Sequence, residues 1–243
     1  MIKRLIVNGD DFGMCEGNSI GIILAHKEGI LTSTTVMMNM PYAYFALDLA
    51  KKYPDLGVGV HLNATAGKPL TDIKLVDKKG YFLNKKFIRA HPDIITKESL
   101  YNEFKAQIDK YISYTGHLPT HFDSHHHIHL IPEYKDIIIK LSNEYQIPFR
   151  QRESLRVPFV RCIDSFEGNN VSIDYLLSIL SNNDDTIEIM CHPGLIDQRL
   201  CDISSYSLPR MKELEIMRSK EVLAYIKENN IELINYSHIK TPQ

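Results

Sequence analysis

The chain has 243 residues, 44% of them apolar, with 28 Lys+Arg against 30 Asp+Glu and a formal net charge of −2. That apolar fraction excludes a disordered chain, and the near-zero charge provides no broad positive field for nucleic acid or an anionic membrane. The length suits one large α/β core better than two full domains. In chain order, Leu5-Ile6-Val7 reads as a buried strand. A helix follows, with Ile20, Ile23 and Leu24 on one face and Gly29 as its stop. Thr34 to Met38 reads as a second strand, and Phe45, Ala46, Leu49, Ala50 and Tyr53 mark a helix face after Pro41. Leu56 to Leu62 is a third strand, and Leu100, Phe104, Ile108, Tyr111 and Ile112 stripe a longer helix. Thr120 to Ser124 is the next strand, followed by a helix opened by Pro132 and carrying Ile137, Ile138, Leu141 and Tyr145. Pro148 to Gln151 reads as a short strand, Leu176, Leu177 and Leu180 as a helix face, and Ile187 to Cys191 as a strand. Pro209 opens one last long helix through Leu214, Met217, Tyr225 and Ile226, and Ile231 to Ile234 closes the series.

Strands alternating with helices predict a parallel sheet with crossover helices. The length fits a closed (β/α) barrel, with an open doubly wound sheet as the alternative. Two stretches break the rhythm, at about residues 64–97 and 193–208. The first contains a hairpin pattern, Ile73 to Val76 and Tyr81 to Leu83 around Asp77-Lys78-Lys79-Gly80. Both stretches follow strands, so a barrel places them at its C-terminal rim.

The four Cys are scattered without a C-x-x-C pair, which predicts reduced thiols. The N-terminus offers only three consecutive apolar residues, short of the roughly 7–15 of a signal peptide. No stretch approaches the roughly 18–20 apolar residues of a membrane span. The expectation is a cytoplasmic protein.

Eleven His is an ordinary total, but five of them, His121, His125, His126, His127 and His129, fall within nine residues. They follow a strand, and other strands also end in donor residues. The first ends in Asp10-Asp11, the third in His61-Leu62-Asn63 and the late one in Cys191-His192-Pro193. Parallel strands bring such ends to one rim. Asp with two His is a sensible donor set for a divalent ion that keeps positions open for water and substrate. Imidazole favours Zn²⁺ and later transition metals, but the carboxylate also permits Mn²⁺ or Mg²⁺, so ligand type alone does not choose the ion. Adjacent side chains on an extended segment point apart, so one of the paired carboxylates can bind metal while the other stays free as a base. If the strand stays extended, His121, Asp123, His125, His127 and His129 share one face, which requires a metal or a hydrogen-bonded network. Gly57 and Gly59 share parity with His61 and leave space beneath it. For the same reason of parity a Cys191 nucleophile is discounted. Read separately, Asp10-Asp11 also fits a helix-capping turn and the His tract a metal-buffering surface.

Four blocks then carry a resemblance. They are Asn8-Gly9-Asp10-Asp11-Phe12-Gly13 with Thr32-Ser33-Thr34-Thr35, Gly59-Val60-His61-Leu62, Pro119-Thr120-His121-Phe122-Asp123-Ser124-His125-His126-His127-Ile128-His129, and Met190-Cys191-His192-Pro193. In this order the sequence resembles the YdjC-like carbohydrate deacetylases over about residues 4–240. The resemblance implies a single domain, 1–243, with a distorted TIM-like (β/α) barrel. It implies a hydrolase that removes acetyl groups from N-acetylated sugars or short oligosaccharides of the chitooligosaccharide kind in carbohydrate degradation. It also implies one divalent metal ion, Mg²⁺ or Zn²⁺, and a homodimer. By match, Asp11, His61 and His125 are the metal ligands, with His127 a further candidate. Asp10 is the general base, His192 the general acid, and Arg150 the residue that orients or tunes the base. The residue types alone also allow Asp10 and Asp11 to exchange roles, and any of His125 to His127 to be the ligand.

Two other readings use the same residues. One is another metal-dependent hydrolase, an amidohydrolase or a phosphoesterase. A phosphoesterase would want two metals and basic phosphate-binding residues, whereas Lys78, Lys79, Lys85, Lys86 and Arg89 read as a solvated face. The other is a non-catalytic sugar- or metal-binding protein. Trp is absent, so sugar stacking would fall to the 13 Tyr and 9 Phe.

Overall fold

The computed structural model describes residues 2–154, 158–182 and 184–239. Its strands are β1 (Arg4–Phe12), β2 (Ser33–Val36), β3 (Gly57–Leu62), β4 (Phe122–Ser124), β5 (Arg161–Ile163), β6 (Thr186–Cys191) and β7 (Glu232–Leu233). The helices are α1 (Glu16–Glu28), α2 (Ala43–Ala50), α3 (Lys85–Ala90), α4 (Lys97–Thr115), α5 (Lys135–Tyr145), α6 (Ile173–Leu180), α7 (Gln198–Ile203), α8 (Leu208–Met217) and α9 (Lys220–Glu228). The sheet runs β4-β3-β2-β1-β6-β5 with every pairing parallel. Single parallel bridges, Phe122 to Phe149 and Gln151 to Arg161, link its two ends through residues 149–151. The sheet is thus curled into a distorted (β/α) barrel, held on one side only by these bridges and by hydrogen bonds such as Arg150 N to Phe122 O. The expected strand at Pro148–Gln151 is this closing rung, reduced to two bridges.

Alternation along β1 explains the interior. Leu5 and Val7 pack into the large apolar core under the helices, while Ile6 packs inward against Val160, Ile234 and Tyr236. Asn8 and Asp10 share the inward parity. The barrel floor is therefore apolar and its upper layers are polar. The same rule places Thr35, His61, His121, Asp123, Arg150 and Glu188 inside, where each is buried. Burial at this density is tolerable only because the groups bond to one another. His121 Nε2 meets Asn8 Oδ1 at 3.1 Å, and its ring stacks on Tyr236 at 3.9 Å. A Cβ at Gly59 would lie 2.6 Å from His121 Nδ1, so the space beneath His61 is filled by this imidazole.

Both irregular stretches follow strands at the C-terminal rim. Residues 75–83 form the expected hairpin, with Val76 facing Phe82 and Gly80 at φ +78° in the turn. The basic residues Lys78, Lys79, Lys85, Lys86 and Arg89 are exposed, as a solvated face should be. In the second stretch, a Cβ on Gly21 of α1 would lie 2.5 Å from Gly194 Cα, so helix and loop touch backbone to backbone. Asp197 fastens the contact by accepting from Gly17 N and Leu200 N, each at 2.7 Å.

One expectation needs correction, and one strand was not expected. The last long helix is two helices, because the chain leaves helix at Arg218 and Ser219 caps α9 by accepting from Val222 N at 3.2 Å. Strand β5 carries too few residues to show a period. Among the described residues, no helix is long and apolar enough to cross a membrane.

Candidate active site

The barrel mouth gathers three donor atoms. Asp11 Oδ1 stands 2.9 Å from His125 Nδ1 and 3.3 Å from His61 Nε2. This oxygen is buried and has no hydrogen-bond partner. A buried carboxylate oxygen that faces two imidazole nitrogens without a well-aligned hydrogen bond to either is what a divalent cation would satisfy, so the residues fit a metal ion. Asp11 reaches this position because β1 gains one residue against β2 between Gly9 and Phe12. Asp11 takes φ +68° at that bulge, held by Met14 N and Asn18 Nδ2, which both donate to its carbonyl. Asp10 and Asp11 therefore do not point apart as on a flat strand. Asp10 faces inward by parity, and the bulge turns Asp11 into the mouth beside it.

The histidines are oriented from behind. Asp123 Oδ1 lies 2.6 Å from His61 Nδ1, and Thr35 Oγ1 donates to Asp123 Oδ2 at 3.0 Å. A carboxylate on one ring nitrogen fixes the tautomer and leaves the other nitrogen for a metal. Burial alone would push His61 down, but the Asp123 and Asp11 carboxylates overcome it and hold the imidazole up at about 10. Metal binding must then displace a proton. Strand β4 ends at Ser124, and His126 and His127 adopt left-handed φ of 56° and 55°. The shared face of the His tract therefore stops at His125. Asp123→Asn should weaken metal binding by about 10–100-fold, measured by isothermal titration. An unchanged affinity would show that His61 needs no such partner.

Behind the donors lies one buried guanidinium. Arg150 Nη1 and Nη2 donate to Asp10 Oδ2 and Oδ1 at 2.7 and 2.6 Å. Nη2 also lies 2.8 Å from Asp123 Oδ2, and Nε donates to Glu188 Oε1 at 2.8 Å. Tyr236 supports Glu188 from the barrel floor, its hydroxyl donating at 2.6 Å. Burial pushes the Asp10 carboxyl up, but the Arg150 charge and its two hydrogen bonds overcome this and hold it well below the usual range. Asp10, His61 and Asp123 also converge, yet Arg150 already supplies the cation there.

His192 follows β6 on the far side of the mouth. Burial, then the Arg210 charge, hold its imidazole down at about 4, against the opposing pull of Asp11 and Asp10. Its Nδ1 has no partner. Its backbone N–H donates to Glu213, whose other oxygen accepts from Tyr206 Oη at 2.5 Å. Burial pushes the Glu213 carboxyl up to about 7. Cys191 turns away, its buried thiol donating to Asn8 O at 3.3 Å, so it offers no nucleophile.

The structure thus brings Asp10, Asp11, His61, His125, Arg150 and His192 around one mouth. His127 lies outside the donor group, with Nε2 at 3.8 Å from Asp164 Oδ2. Four supporting residues were not singled out beforehand: Asp123 as the orienter of His61, Glu188, Arg210 and Glu213. Glu188 had a signal, as a lone carboxylate between Ile187 and Ile189 at inward parity. A cavity of about 240 Å³ is lined by Arg89, His127, Leu130 and Arg152 among others, and by none of the residues at the mouth.

A YdjC-like protein family model matches residues 4–228. A carbohydrate deacetylase of Clostridium beijerinckii is 41% identical, the match covering 97% of this chain and all of that one. A chitooligosaccharide deacetylase of Yersinia enterocolitica is 38% identical over 98% of this chain and 99% of that one. The solved structure of an Enterococcus faecalis protein, provisionally ascribed to cellobiose-phosphate cleavage, has a TM-score of 0.90 at 33% identity, covering 99% and 100% of the two chains. A family 4 carbohydrate esterase of Streptomyces lividans, at 13% identity, a TM-score of 0.56 and coverage of 99% and 97%, shares the fold. With the family model matching nearly the whole barrel and relatives this similar over their full length, the chain belongs to the YdjC-like family.

Proposed function

We propose that the protein is a metal-dependent hydrolase that removes acetyl groups from N-acetylated sugars or short oligosaccharides. The observation that carries this reading is the unpartnered Asp11 Oδ1 facing His61 and His125, one residue from an Asp10 clamped by Arg150. The names of the related deacetylases support an acetylated sugar as substrate. Asp11, His61 and His125 would hold one divalent ion. Two imidazoles favour Zn²⁺ over Mg²⁺. The ion would supply Lewis-acid polarisation of the acetyl carbonyl and a lower pKa for water.

Asp10 is the base that removes a proton from the attacking water. Arg150 keeps it ionised and fixes both of its oxygens, so the carboxylate reaches the reaction already oriented. His192 enters as a neutral imidazole and relays to the departing amine the proton that Asp10 takes from the water. Glu213 holds the backbone that places it. The products are the free amino sugar and acetate. We further read the chain as one domain with two rim insertions, acting as a homodimer in the cytoplasm. The family resemblance and the four free cysteines support this.

Acetate release from di-N-acetylchitobiose, before and after exhaustive chelation and then after re-addition of Zn²⁺ or Mg²⁺, tests the reading. Turnover should vanish and return with the ion. Undiminished turnover of metal-free protein would overturn it.

A further inference from the structure

The two oxygens of Asp11 have different surroundings. Oδ1 faces His61 and His125 without a well-aligned hydrogen bond to either. Oδ2 accepts from Arg210 Nη2 at 2.6 Å. Arg210 sits in the first turn of α8 and is 2% exposed. Its other donors are engaged too, Nη1 with Asn18 Oδ1 at 3.2 Å and Nε with Tyr206 O at 2.7 Å. Its carbonyl accepts from Gly194 N at 3.2 Å. The guanidinium is therefore fixed by α1 and by the second rim insertion, and it cannot swing aside without breaking both contacts.

We infer that Arg210 is the specificity-determining residue for the ion, holding Asp11 as a one-oxygen ligand and so disfavouring large, oxygen-seeking cations such as Ca²⁺. This rests on the ligand set given under Proposed function. Ca²⁺ collects 6–8 oxygens and uses carboxylates in bidentate fashion. Zn²⁺ is satisfied by few ligands, with nitrogen and a single carboxylate oxygen among them. With Oδ2 occupied by Arg210, the second oxygen that Ca²⁺ would use is withdrawn. Arg210 touches no reacting atom. It acts through Asp11, as a positioning residue.

The test compares Zn²⁺ and Ca²⁺ affinities by isothermal titration in the wild type, Arg210→Met and Arg210→Lys. In Arg210→Met the affinity ratio should move towards Ca²⁺ by about tenfold or more, as expected for loss of an outer-sphere contact. Arg210→Lys keeps the buried charge and should shift the ratio less, in the same direction. An unchanged ratio in a folded variant overturns the inference. Infrared difference spectra of Zn²⁺-loaded against metal-free wild type give a readout that needs no folded Arg210 variant. The carboxylate stretches absent from an Asp11→Asn control should show the wide splitting of one-oxygen ligation, and a narrow bidentate splitting overturns the inference. His125→Ala separates the two levels. If it leaves Zn²⁺ affinity unchanged, the ligand set itself is wrong. If it abolishes binding while the Zn²⁺/Ca²⁺ ratio ignores Arg210, only the role of Arg210 fails.

Discussion

Asp10→Asn should lower kcat for acetate release by about 10²–10⁴, the usual worth of a positioned general base, with little change in KM. The substitution keeps the shape of the side chain and one acceptor for the Arg150 fork, so the site should stay assembled. What it removes is the proton acceptor. Metal affinity is the control: Asp10 belongs to the Arg150 network, not to the Asp11, His61 and His125 group, so Zn²⁺ binding should persist. A variant that keeps a tenth or more of wild-type kcat (about 1.4 kcal/mol of barrier or less) would remove Asp10 from the role of base. Loss of Zn²⁺ binding in step with kcat would move Asp10 into the ligand set instead.

Arg150→Met should lower stability by about 3–5 kcal/mol, the cost of leaving buried charges without their partner. For a chain of this size that corresponds to a melting temperature lower by roughly 6–20 °C, measured by calorimetry. The reason is local: one guanidinium faces Asp10, Asp123 and Glu188, all three wholly or almost wholly buried. An exposed pair makes the contrast. Lys97 and Asp136 meet at 2.9 Å with side chains 58% and 79% exposed, and such a pair is worth about 0–1 kcal/mol. If Arg150→Met melts within a degree or two of wild type, the three carboxylates do not depend on it as described.

The sequence made much of this site legible, because in a parallel barrel the strand ends must meet. Asp10, Asp11, His61, His125 and His192 could be placed at one rim from strand positions alone. Parity failed where the backbone left the strand, at the bulge that turns Asp11 and at the left-handed His126 and His127. No period in the sequence announces a single inserted residue. Arg150 was accessible only through the family resemblance, since it lies on a rung of two bridges with no alternation to read. Arg210 and Glu213 were out of reach for another reason. They sit one turn apart on α8, and nothing local tells that this helix lands under Asp11 and His192. The missing break at Ser219 is the same lesson in small, since the capping hydroxyl was present but the apolar period ran on through it.

The pairing of β1 with β7 joins Arg4 to Glu232 and Leu5 to Leu233, and Tyr236 then reaches Glu188 beneath Arg150. On the ribosome these partners emerge far apart in time, by roughly 10–50 s at about 5–20 residues per second. Until they arrive, Arg4 and Leu5 lack their β7 partners, and Arg150, made roughly 4–17 s before Tyr236 at that rate, has no support from the floor. The nascent barrel must therefore wait, nearly complete, for its final turn. Contacts of such long sequence separation also make refolding slow.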